Sequence, residues 1–219
     1  MNPGNSSQRI ASLFSGRWNR NYVASKLRTD PVYEALAAQL KDSPFPLLDI
    51  GCGLGLLAFF LRTRGIEVPV LGIDYDEKKI ADASLAASQF GVTHVEFRHA
   101  DVRLGLPNHL GNVSILDILQ FFTADEQEIL LTSACSRVLP GGRLIIRSGL
   151  RDSSARFTIT VLGDLIAKAT LWMKAAPTHY PTNKDLKRVL SPFGELTISP
   201  LWGKTPFNNH LIVLTKPLV

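Results

Sequence analysis

Pro46-Leu47-Leu48-Asp49-Ile50-Gly51-Cys52-Gly53-Leu54-Gly55 decides the fold. A short apolar run closes on an acid, and glycines then occupy alternate positions. Pro44 and Pro46 bound the run upstream, so it reads as a buried strand. An apolar helical pattern starts at once, through Leu54, Leu56, Leu57, Phe59, Phe60 and Leu61. Strand, glycine turn and helix together make a ligand-binding turn of an α/β sheet. Glycine lets the chain turn sharply and admits a ligand where a Cβ would otherwise stand. The new helix aims its free N–H groups at the same place.

Two kinds of ligand use such a turn. The dinucleotide fingerprint G-x-G-x-x-G requires its third glycine at position 56, which is Leu56. The pattern here is Asp-x-Gly-x-Gly-x-Gly, and Asp49 would repel a pyrophosphate but suit a cation. From this point onward the chain resembles the class I S-adenosylmethionine-dependent methyltransferases, whose first motif has this form. The resemblance implies an α/β, Rossmann-like fold: a seven-stranded, mostly parallel sheet with a terminal antiparallel strand and helices on both faces. It also implies that Asp49, Gly51, Cys52 and Gly53 line the place of S-adenosyl-L-methionine.

Composition bounds the rest. The 219 residues suffice for one α/β domain with a full core. Apolar residues make up 45% and charged residues 20%, as in ordinary globular chains. The net charge of +5 is spread along the chain rather than concentrated in a basic run. Cys52 and Cys135 lack metal-ligand spacing, so no metal is expected and a reducing, cytoplasmic setting is. No apolar stretch is long enough to cross a membrane.

Upstream of the glycine turn, residues 1–42 read as an N-terminal helical cap, with 1–16 frayed. The stretch 17–28 is basic and aromatic. It is either a solvated amphipathic helix or a lid over the cofactor, and Tyr22 is its substrate-facing candidate. Asp30-Pro31 caps the next helix. Residues 43–219 form the main domain. Its second strand, Val68 to Asp74, ends in an acid that can accept two ribose hydroxyls, with Tyr75 beside it. Asp76 caps the following helix. The third strand, Thr93 to His99, runs into Asp101 and Val102. In the resembled family an acid here takes the adenine amino group, and Val102 would touch the ring.

The fourth strand is read as Val113 to Leu119, with Asp117 inside it. A charge in so apolar a run is costly unless it is paired or faces a polar cavity. Asp117 therefore either lines the site, near the cofactor's ammonium or the substrate, or pairs with a structural arginine. Gln120 is a substrate-contact candidate. Thr123-Ala124-Asp125-Glu126 opens a helix as a capping box, with Ile129, Leu130, Ala134 and Val138 inward. Leu139-Pro140-Gly141-Gly142 then leads to a strand from Arg143 to Arg147. Arg147, Arg151 and Arg156 follow where substrates sit in this fold, and Arg147 offers a planar fork for a carboxylate or phosphate. A lid insertion is expected near 150–181, with an apolar helix from Phe157 to Met173. Thr182 caps a further helix. Two final strands, Glu195 to Leu201 and His210 to Thr215, suit the family's terminal hairpin.

Methyl transfer asks mainly for alignment of nucleophile, methyl carbon and sulfur. A general base helps when the nucleophile is a hydroxyl. The candidates are Asp117, His179 and Tyr180. No Asp/Asn-Pro-Pro-Tyr/Phe sequence and no Pro-Cys nucleophile follow the fourth strand, and no basic and aromatic RNA-binding appendage is visible. A nucleic-acid substrate is therefore disfavoured, and a small molecule is expected. The stretch Leu201 to Asn209 resembles small bacterial methyltransferases that accompany aryl-polyene pigment synthesis, which implies a phenolic or related aromatic acceptor. A non-catalytic binding subunit that keeps the fold is the reading from another class.

Overall fold

The computed structural model describes residues 3–169 and 177–218. Its sheet has seven strands. The chain divides into two compact units, one up to Val102 and one from Arg103 onward.

The first unit begins with three helices, α1 (Pro3–Ala11), α2 (Arg17–Thr29) and α3 (Val32–Leu40). The expectation of a frayed start is corrected by α1, which buries Ile10 and Ala11, with Phe14 just beyond it. Those residues make a narrow apolar face that the polar composition of residues 1–9 conceals. Phe14 meets Phe59 edge-on at 6.2 Å, and Phe59 also packs on Phe90 and Phe97. Each of the buried rings Phe14, Phe59 and Phe97 contributes about 1.5–3 kcal/mol. Pro31, rather than the expected Asp30, stands at the N-cap of α3, and the Asp30 carboxylate just before it accepts the Val32 N–H at 3.1 Å.

Strand β1 (Leu47–Ile50) is buried along its whole length, Asp49 included, as a central parallel strand covered on both faces is. Helix α4 (Leu56–Thr63) follows and stops at Arg64-Gly65. Strand β2 (Val70–Asp74) starts two residues later than expected, because Pro69 lies outside it and contributes only its carbonyl, to the Leu47 N–H. Helix α5 (Glu77–Phe90) runs from the Asp76 cap to left-handed Gly91. Strand β3 (Val95–His99) is more exposed. The three strands are ordered β3-β2-β1 and are parallel, with Asp49 opposite Gly72 and Asp74 opposite His99.

The second unit contains β4 (Asn112–Leu116), α6 (Ala124–Ser136), β5 (Arg143–Gly149), α7 (Ala155–Ala169), α8 (Asn183–Leu190), β6 (Glu195–Pro200) and β7 (Asn209–Thr215). Its strands are ordered β4-β5-β7-β6. β4 and β5 are parallel, and β7 is antiparallel to both β5 and β6. The terminal hairpin with an inserted last strand is thus as expected. Both helix-capping boxes form, Thr123 with Glu126 and Thr182 with Asp185. Ile129 was expected inward but is 67% exposed. The buried stripe of α6 runs instead through Gln127, Leu130, Leu131, Ala134 and Cys135. The apolar helix expected to reach Met173 is present as α7, and its last expected residues lie outside the described ones.

Candidate active site

In the first unit the glycine turn is built by backbone. Gly51, Gly53 and Gly55 all have positive φ. At Gly55 a Cβ would come within 2.3 Å of the Phe97 ring, so glycine is required there by core packing. At Gly53, with φ of 54°, a Cβ would meet nothing within 4 Å. There the demand is purely conformational, and open space adjoins the backbone.

Asp74 anchors the turn. One carboxylate oxygen accepts the Gly53 N–H at 2.9 Å and the other accepts the Asp76 N–H at 2.8 Å. Each carboxylate oxygen has two lone pairs, so one on each oxygen remains for further donors. Asp49 and Asp74 are both buried. Burial pushes the Cys52 thiol well up, and the charges of Asp49 and Asp74 push it further. Two carboxylates therefore impose a negative field on the same turn. Such a field fits a cationic ligand and opposes a pyrophosphate, which tests the expected cofactor against this chain's own residues.

Tyr75, Asp101 and Val102, also expected at the cofactor, lie along the strand ends of the same unit, whereas Asp117 lies in the second. Tyr75 is half exposed, and its carbonyl accepts from His99 Nε2 at 3.0 Å, which makes Nε2 the protonated ring nitrogen. Asp101 and Val102 are half-buried just past β3. The Ala100 N–H donates to the Asp74 carbonyl and fastens the end of β3 to the end of β2. Tyr22 is half-buried on α2, beside buried Val23.

The second unit holds a site of another kind, made of side chains. β4 ends at Leu116, so Asp117 is not inside the strand, as expected from the apolar run, but turns away from it at φ of 58°. Aspartate tolerates that conformation better than most residues. The Asp117 N–H donates to the Arg147 carbonyl at 3.0 Å, and the Asp117 carboxylate pairs with the Arg147 guanidinium. Asp117 is 33% exposed and Arg147 only 6%, so the arginine is the buried partner. Of the two readings of Asp117, pairing with an arginine is the one the geometry displays.

Tyr180 is 9% exposed, and its hydroxyl donates to the Asp164 carboxylate at 2.7 Å. Phe157 meets its ring edge-on at 5.2 Å. Burial, and then Asp164 itself, push the Tyr180 phenol upward, so it keeps its proton and is a poor base. Burial also raises the Asp164 carboxyl, with the Tyr180 hydroxyl acting against it. His179 precedes Tyr180 directly in the chain, and its backbone N–H donates to the Gln120 carbonyl.

Gln120 is 7% exposed in the short turn Leu119–Phe121. Its carbonyl accepts the N–H groups of Thr178 and His179, and Gln127 Nε2 donates to the carbonyls of Leu119 and His179. These bonds lay the 178–180 segment on the turn after β4. The side-chain oxygen of Gln120 is buried without a partner among the described residues. The three arginines expected to cluster do not act together: Arg147 pairs with Asp117, whereas Arg156 donates to the Thr205 carbonyl and stacks over Trp202. Sequence reasoning missed Asp164 and Gln127. The signal for Asp164 was its charge in an apolar helical run. Among the described residues no group of side chains has metal-ligand geometry.

A family model described as a methyltransferase domain matches residues 41–212. The ubiquinone biosynthesis O-methyltransferase of Leptothrix cholodnii is 27% identical over 133 residues, covering 61% of this chain and 54% of that protein. The chain thus spans about half the length of the curated relatives it matches. Magnesium protoporphyrin IX methyltransferase from Synechocystis PCC 6803, solved with bound SAH, superposes with a TM-score of 0.65 at 16% identity, over 97% of this chain and 93% of that one. An O-methyltransferase family protein from Burkholderia thailandensis does so at 0.71 and 14% identity, over 97% and 64%.

Proposed function

The chain belongs to the methyltransferase-domain family, and from that premise we propose that it transfers a methyl group from S-adenosylmethionine to a hydroxyl of a small aromatic molecule. The carrying observation is the negative field at the glycine turn, where Asp49 and Asp74 act on Cys52 and the backbone at Gly53 is open. S-adenosylmethionine supplies a methyl carbon already activated by a sulfonium. The chain's own residues then bind and align. Asp74 offers its remaining lone pairs to ribose hydroxyls, Gly51 and Gly53 offer bare backbone, and Asp49 faces the cationic end. Tyr75, Asp101 and Val102 take the adenine side.

A hydroxyl acceptor is favoured by the O-methyltransferase relatives and by the uncharged, buried Gln120 amide, which suits a neutral polar group. Arg147 remains the candidate for an acidic substituent, with Asp117 setting its orientation, and Tyr22 is the candidate from α2. The second reading, a binding subunit without turnover, is favoured by one observation: Asp117 and Tyr180 are each engaged by another side chain. Calorimetry with S-adenosylhomocysteine, followed by methyl-transfer assays on a panel of catechols and phenols, tests both. Micromolar binding with turnover supports the enzyme, and binding without turnover supports the subunit. No binding at millimolar ligand defeats both.

A further inference from the structure

We propose that the outer face of α2 docks on a membrane surface that carries anionic lipid; all of the residues concerned lie in the first unit. The distribution of charge points there. Residues 1–29 hold five basic residues and no acid, so the whole net charge of +5 sits in them. The remaining residues hold 19 of each sign. The excess forms no continuous run, yet it is gathered at one end, which corrects the expectation of an even spread.

Helix α2 turns that excess outward. It packs on α1 and buries Val23 and Leu27, four positions apart. Arg17, Trp18, Asn21, Ser25 and Arg28 follow the opposite face at helical spacing, and all are exposed, as is Arg20. Trp18 is 72% exposed. Two of the cations are engaged elsewhere: Lys26 pairs with Asp30 at 3.2 Å, and the Arg9 guanidinium stacks over Phe90 at 4.4 Å. Arg17, Arg20 and Arg28 have no ion-pair partner among the described residues. From Arg17 to Arg28 the helix rises about 16 Å, enough to span several lipid headgroups.

Each part of this face has a counterpart in such a surface. Arginine forks take the phosphate oxygens of headgroups. An indole beside them suits the boundary between water and lipid, where its apolar body and its N–H both find partners. The inner face of α2 is spent on the protein core, so the contact is peripheral, reversible and sensitive to salt. Single-stranded nucleic acid fits less well, because one ring offers no series of platforms for successive bases.

The test uses the full chain without cofactor or acceptor, so its failure leaves the methyl-transfer reading untouched. Co-sedimentation is measured with phosphatidylcholine vesicles, with and without phosphatidylglycerol. Binding should require phosphatidylglycerol and fade between about 0.1 M and 1 M salt, as the Debye length falls from about 10 Å to about 3 Å. Replacing Arg17, Arg20 and Arg28 together by glutamine should weaken binding about 100-fold, or about fivefold per arginine. The same replacement of Lys184, Lys187 and Lys204, exposed in the second unit, removes equal charge and should leave binding within about twofold. Lipid should shift tryptophan emission to the blue, and Trp18→Phe should abolish that shift. Binding that ignores phosphatidylglycerol, or that both triple variants weaken equally, overturns the proposal, as does a blue shift that persists in Trp18→Phe. Oligothymidylate bound more tightly than vesicles at the same salt, and lost with the three arginines, overturns it in favour of a nucleic-acid surface.

Discussion

The two units build their candidate sites from different materials. In the first, the site is backbone: a glycine turn whose N–H at Gly53 is held by Asp74, only 21 positions away. In the second it is side chain against side chain. Asp117 reaches Arg147, Tyr180 reaches Asp164, and Asn208 reaches Asp152 across 56 positions. A backbone site depends on glycines and one acid at fixed spacing. A side-chain site depends on which distant residues the fold brings together. The first is suited to a constant ligand and the second to a variable one, as a shared cofactor and a particular acceptor require.

Substitutions can break that contrast, and the largest effect is expected at Asp74. Asp74→Ala removes the acceptor for two N–H groups and, in the proposed function, for the ribose hydroxyls, and should weaken S-adenosylhomocysteine binding by more than about 100-fold in calorimetry. Arg147→Lys, which disturbs only the pair with Asp117 in the second unit, should leave that affinity unchanged. If both variants lose cofactor affinity equally, the division of labour fails. Next comes Gly55→Val, which places a branched side chain at positive φ and against Phe97. It should cost about 3 kcal/mol of stability in urea unfolding.

Asn208→Ala sharpens the comparison from the side-chain half. Asn208 Nδ2 donates to the Leu150 carbonyl and to Asp152 at 2.8 Å each, and its N–H donates to the Thr160 hydroxyl. Leaving the buried carbonyl unpaired should cost about 1–3 kcal/mol, read by the same unfolding curve. The smallest change is Thr182→Ala, about 1 kcal/mol. It carries a pH signature. The Thr182 hydroxyl and then its N–H hold the Asp185 carboxyl below its usual range. A carboxyl depressed in the folded state stabilises above its unfolded pKa, and that stability is lost as pH falls through the folded value. Melting curves of wild type and Thr182→Ala should therefore converge in acid; a constant gap would refute the linkage.

Legibility in the sequence followed the same division. Asp49, Asp74 and the glycines were readable because strand, turn and acid are contiguous or regularly spaced. So were the Thr123 and Thr182 capping boxes and the terminal hairpin, each set by local pattern. Asp117 was misplaced by a few residues because an apolar run does not announce where a strand ends, and a left-handed aspartate leaves no periodic trace. α1 was missed because three apolar residues, Ile10, Ala11 and Phe14, suffice to dock a helix whose composition is otherwise polar. Asp164 and Tyr180 were both visible as residues. Their pairing was not, since no periodicity links a helix to a loop sixteen positions on.

The insertion of β7 between its two neighbours governs how the second unit can be assembled. Gly149 pairs with Asn209 and Arg143 with Thr215, so the outer ladder of β5 stays open while α7, α8 and β6 leave the ribosome. Closing it is a late, non-local event. Until then the nascent chain presents an apolar strand with unmet donors and acceptors, the kind of edge that invites a neighbouring polypeptide.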